Sequence, residues 1–425
     1  MSNPFKRLAG MRCGLRPFVL ALSASLVPLL APVRAAALVW PDVAERIESD
    51  LGSTDPAVRR AALSSVRSLG RSRAAALELA ALEDANDDVK LAAADAAIRM
   101  RVARATDVVV PWLSAVDPRL RAKACEVARL LPSPQAVVPL ARTLGDQDPE
   151  LRAAAATALG AQSAAGAVAP LLGRLDDPIP TVRVAVVDAL DRLGDARATF
   201  PLVGKVEDSA TEVRQAVVHA LGDLGDRRSS SALILALRDS STDVRRSAIE
   251  ALGRMRAEGA VDAIVPFARD RALALRTAAM TALGRIATPE AMRALIGALG
   301  TGDDASGTLD ATPARNALVA AGVTRSLPAL QKLLDGSPSP QAATGAAWII
   351  GALGARAGVP AIIASMRRGV LPTAAALRGL AGAGSEDDVP VLLEFIDDPN
   401  PGVRKEALTA ALALLDPRKP DGRAV

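Results

Sequence analysis

DQDPELRAAAATALGAQSAAGAVAPLLGRLD, residues 146–176, decides the fold. It reads as two short helices joined by a turn. Asp148-Pro149-Glu150 is a helix start, with a side-chain acceptor at the N-cap, a proline whose missing N–H costs nothing there, and a carboxylate at the positive end of the dipole. Leu151, Ala155, Ala158 and Leu159 then recur at helical spacing. Gly160 is expected to close this helix in a left-handed conformation. A second helix is expected over 167–175, with Pro170 tolerated in its first turn. Helices this short are marginal alone, so the unit needs neighbours.

Copies of the unit fill the chain. Basic residues recur every 31 positions at Arg59, Lys90, Arg121, Arg152, Arg183, Arg214, Arg245 and Arg276. An acidic column, Asp84, Asp146, Asp177, Asp208, Asp239 and Asp270, stands six residues before basic positions. Gly160, Gly222, Gly253 and Gly284 form a third column, eight residues after them. Such a period specifies a stacked array of helix pairs rather than a two-layer globular domain.

Outward from this array, residues 1–37 have the order of a signal peptide. Lys6, Arg7, Arg12 and Arg16 precede an apolar run over 18–30, and small residues around Ala35-Ala36-Ala37 offer a cleavage site. The run is short for a transmembrane helix and is interrupted by Pro28. The expectation is export to a periplasm or extracellular space, with an uncleaved N-terminal anchor as the alternative. The segment holds five basic residues, Arg34 included, and no acidic one. The remainder therefore has 46 basic (51 − 5) against 47 acidic residues, a net charge of −1. The basic pI belongs to the leader, and no global positive field favours nucleic acid. Cys125 is then the one remaining cysteine. It occupies a column of small and apolar residues, so no internal disulfide is expected.

Residues 38–52 match only a second helix and read as an N-terminal cap. Repeats one to eight follow over 53–299. The Gly/Asp/Ser/Thr-rich stretch 300–313 breaks the phase, adding four residues, and the period is expected to resume at Ala311, Ala342, Thr373 and Arg404. Residues 314–416 then hold repeats nine to eleven and a C-terminal half-repeat, and 417–425 read as a polar tail. The total is about eleven helix pairs between two half-repeat caps.

The run acidic–apolar–Arg followed by Ala-x-x-Ala-Leu-Gly, clearest in DSSTDVRRSAIEALG (239–253) and DSATEVRQAVVHALG (208–222), resembles HEAT repeats of the short bacterial type named after phycobilisome lyases. The resemblance implies an all-α, right-handed α–α superhelix. It also implies that the acidic and basic columns bond between neighbouring repeats. It says little about function, because the family is defined by packing positions. Deoxyhypusine hydroxylases of similar fold bind iron through His-Glu pairs, and this chain has none. A phycobilin-lyase-like activity is the remaining enzymatic alternative.

The residues themselves supply little chemistry. One histidine, His219, sits on the solvent-facing stripe of a first helix, so multi-histidine metal sites and Ser-His-acid sites lack components. Asp303, Asp304 and Asp310 share the off-period stretch without an EF-hand spacing. No catalytic residue, metal or cofactor is expected. The candidate partner surface is the second helices, where the position 22 after each basic residue includes Trp112, Arg174, Lys205 and Phe267, with Arg142 beside it. The expected function is a non-catalytic scaffold, monomeric or within a hetero-complex, that binds a protein partner or organises an envelope complex through its concave surface. A module for a small ligand or peptide is the alternative.

Overall fold

A computed structural model describes residues 41–299 and 311–416. The leader 1–37, most of the off-period stretch including Asp303, Asp304 and Asp310, and the tail 417–425 lie outside the described residues. Among those described there are helices and no strands. Eleven helix pairs lie between a lone helix at Pro41–Leu51 and a lone helix at Pro401–Leu414. Consecutive first helices, such as Pro149–Ala161, Pro180–Leu193, Thr211–Leu224 and Thr242–Arg254, pack against one another in chain order. The second helices form the other layer, each against its own first helix, and one apolar core runs through the stack.

Local chemistry explains the elements. The Asp148 carboxylate accepts from the Glu150 N–H at 2.9 Å, and Leu151, Ala155, Ala158 and Leu159 are buried on one face. The second helix is less regular than the spacing predicts. It opens as a 3-10 turn, Ala165–Ala167, and continues as Val168–Leu172. Its proline removes an amide donor near the start, and the short segment is held by Leu171, which is fully buried.

Gly160 does not close its helix. It lies inside Pro149–Ala161, and the left-handed residue comes later, at Ser163. Its role is close approach: a Cβ there would stand 2.7 Å from Ala189 Cα on the next first helix. The same holds for Gly222 against Ala251, Gly253 against Ala282 and Gly284 against Ala317. This column sets the spacing of the first-helix layer.

The Gly284–Ala317 contact also carries the stack across the off-period stretch, as does Leu299, whose side chain lies 3.5 Å from a Cβ placed on Gly345. Beyond it, helix starts move the expected register. The residue four after each N-cap, which is basic in repeats one to eight, is Arg315 in Thr312–Ala321, Ala343 in Pro340–Ala352 and Ala376 in Thr373–Ala383. These replace Ala311, Ala342 and Thr373. Arg315 donates to Thr312 Oγ1 three residues earlier, as Arg214 does to Thr211 and Arg245 to Thr242. Helix capping, rather than the count of 31, fixes the start of each unit here. Thr312 and Pro313 accordingly belong to a helix.

Candidate functional site

The acidic and basic columns meet across repeats. Arg59 reaches Asp84, Arg152 reaches Asp177, Arg183 reaches Asp208 and Arg214 reaches Asp239, each through two guanidinium–carboxylate hydrogen bonds of 2.6–3.0 Å. Arg121 and Asp146 make a looser pair at 3.3 Å. Each arginine also donates Nη1 to the carbonyl six residues before it, as Arg152 does to Asp146 and Arg276 to Asp270. Each aspartate accepts from the amide two residues on, as Asp177 does from Ile179 and Asp270 from Ala272. One residue pair therefore ties a loop, a helix start and the next repeat together.

The ladder has gaps. Lys90 bonds Asp87 on its own helix at 2.9 Å, since Ala115 stands where its rung would need an aspartate. Arg245 bonds Thr242, and no ion pair joins it to Asp270 among the described residues.

Burial raises the pKa of Asp177, but the Arg152 guanidinium and the Ile179 N–H outweigh it and hold the carboxyl below its ordinary range. Asp208 is held low in the same balance by Arg183 and the Ala210 N–H. In Asp84 and Asp239 the arginine bond is the leading cause of a lowered pKa. Carboxylates locked as acceptors in this way are poor general bases.

Two further ionisable groups are buried. The Cys125 thiol is pushed up to about 12 by burial and by the charge of Asp146, so it behaves as a small apolar side chain. Glu78, on Arg71–Ala81, is buried, and its Oε2 has no hydrogen-bond partner. Burial raises its pKa to about 6, with the charge of Arg99 opposing. A folded pKa above the unfolded one means this carboxyl favours folding below pH ~4 and costs stability as pH rises through 6. Glu78→Gln is therefore expected to stabilise the protein at pH 7.5 by roughly 1–2 kcal/mol, given ~1.4 kcal/mol per pKa unit. Urea melts at pH 7.5 and pH 4 check this, because the gain should vanish at the lower pH.

The expected groove column lies on the wrong face. Trp112 is only 8% exposed, and Thr143, Ala236 and Ala298 are also buried. Three residues before them stand Val109, Leu140, Leu233 and Leu295, all core residues, so the helical spacing carries position 22 inward. Trp112 and Phe267 each sit in a 3-10 segment, Val110–Ser114 and Val265–Arg269, and Phe267 packs half-buried against the core. Arg174 and Lys205 escape burial by reaching back along the stack. Lys205 pairs with Asp176, and the Arg174 Nη2 lies 3.2 Å from a Cβ placed on Gly145. Arg142 is exposed.

Two solvent-facing apolar residues of the second helices lie instead two positions before buried leucines. Val138 precedes Leu140 and is 61% exposed; Phe200 precedes Leu202 and is 60% exposed. Leu235 is exposed two positions after Leu233. Arg228, from the next repeat, stacks on the Phe200 ring at 4.8 Å, its guanidinium held by Asp226. Counting two residues back from the leucine column would have found Val138 and Phe200.

Stacked helix pairs with a polar ladder and a continuous core define an α-solenoid. Within it, a family model described as HEAT repeats matches residues 106–183, 168–236 and 230–312. Residues 106–312 are HEAT-like repeats, and the stack continues in the same fold on either side of them. No curated protein sequence matches it. Among solved structures, importin beta aligns over 88% of this chain and 63% of its own, at 14% identity and a TM-score of 0.56. Kap95p, in a complex with RanGDP, aligns over 88% and 62%, at 14% identity and a TM-score of 0.53. This chain thus spans less than two thirds of either. The complex of CpcE and CpcF of a phycocyanin lyase from Nostoc aligns over 65% and 94%, at 21% identity and a TM-score of 0.34, and nothing about activity follows from that overlap.

Proposed function

We propose that this chain is an exported, non-catalytic scaffold that holds a protein partner against the outer face of its second helices. The observation that carries the reading is the pair Val138 and Phe200, large apolar side chains at one repeat position and mostly in solvent. Phe200 beneath Arg228 has the aromatic–arginine chemistry of interface anchors. Kap95p, whose fold is similar, is described in complexes with RanGDP and with Nup1. The export part rests on the leader-like order of residues 1–37. No helix among the described residues is long and apolar enough to cross a membrane.

A photo-crosslinking amino acid at position 200, compared with one at Thr281 on the exposed side of a first helix, tests the surface in the native host. A discrete crosslinked protein is expected from position 200 and not from 281, and its yield should fall several-fold with Val138→Glu. Equal labelling from both positions contradicts the reading. Loss of residues 1–37 from the chain recovered outside the cytoplasm is the expected result for export.

A further inference from the structure

Two departures from the repeat pattern meet on the first-helix side of the stack. Asp191 stands in the column held by Gly160, Gly222, Gly253 and Gly284. His219, the single histidine, stands on the adjacent helix, with Asp223 one turn further along it. Together they bring one imidazole nitrogen and two carboxylate oxygens within 4.8 Å of one another.

His219 Nδ1 lies 3.6 Å from Asp191 Oδ2 and 3.6 Å from Asp223 Oδ2. Those gaps are too long for hydrogen bonds. They are close to the roughly 3.0–3.6 Å that separates two donors sharing one ion at bond lengths near 2.1 Å. Arg254 donates to Asp223 Oδ1 at 2.9 Å, which orients the carboxylate and leaves Oδ2 turned toward the imidazole. The frame is rigid, because the two helices are held on their far sides by the Gly160–Ala189 and Gly222–Ala251 contacts.

We propose that Asp191, His219 and Asp223 bind one divalent transition-metal ion of the zinc class, clamping two adjacent first helices. Imidazole with two carboxylates selects such ions over magnesium or calcium, which prefer oxygen donors alone. Three protein ligands leave a fourth position open to water.

The test is a ZnCl₂ titration of the full chain, followed by NMR of its one imidazole and by thermal unfolding. Saturable movement of the His219 ring resonances at one equivalent is expected, with a rise in Tm that MgCl₂ does not reproduce. His219→Asn should abolish the rise in Tm. Asp191→Gly, which installs the residue other repeats carry and so preserves the fold, should weaken binding at least tenfold. An unmoved His219 ring at millimolar zinc, or an unchanged Tm response in both variants, overturns the proposal.

Discussion

Gly253→Val is expected to open the first-helix layer at its centre. A side chain there begins 2.7 Å from both Ala282 Cα and Ala282 Cβ, and neither can swing aside because both belong to the neighbouring backbone unit. Thr242–Arg254 and Leu273–Ile286 must therefore separate, which loosens the packing around the buried Ile249 and Met280 that these helices carry. Overpacking of this kind costs about 1–3 kcal/mol, and the rigid neighbour places this case at or above the top of that range. Gly259→Ala is the matched control, since a Cβ there meets nothing within 4 Å. A linear array unfolds by neighbouring units, so a single Tm is a blunt readout. Amide exchange should accelerate over 242–286 in the valine variant and remain unchanged in the control.

Asp177→Ala is expected to have the second large effect. Asp177 is 4% exposed and takes both the Nε and Nη2 of Arg152 as well as the Ile179 N–H. Its loss leaves the buried guanidinium with the Asp146 and Gln147 carbonyls alone. Breaking a buried pair from one side costs roughly 3–5 kcal/mol. The same rungs set the acid limit of the wild-type protein. Because the folded pKa values of Asp84, Asp177, Asp208 and Asp239 are lowered, their contribution is complete above the unfolded carboxylate range. It is lost as pH falls through the folded values, below pH ~4. In Asp177→Ala this acid-dependent loss should be shallower.

The fold was legible because packing repeats in sequence. Basic, acidic and glycine columns at a spacing of 31 can mean little besides stacked units. Other features depend on where a helix starts, which periodicity alone does not report. The shift from Ala342 to Ala343 follows the cap at Ser339, and Arg315 follows the start at Thr312. The glycine column was read for its backbone freedom, whereas its missing Cβ is what the structure uses. The groove column differs for a similar reason: position 22 lies three residues after a core Val or Leu, Val109 in the case of Trp112, and the helical spacing turns it inward. Asp191 and His219 were visible as exceptions to their columns. That they face each other required the register between neighbouring helices.

In the function proposed above, the repeated charges serve the fold and a partner is met elsewhere. A double-mutant cycle on Arg152→Met and Asp177→Leu, read by urea unfolding, separates the two roles. The double variant replaces a buried ion pair by apolar bulk and should be far more stable than the sum of the single losses predicts, with a coupling above about 2 kcal/mol. It should also retain the position-200 crosslink. Additive losses, or a stable double variant that no longer captures its partner, would contradict a purely structural role for the ladder.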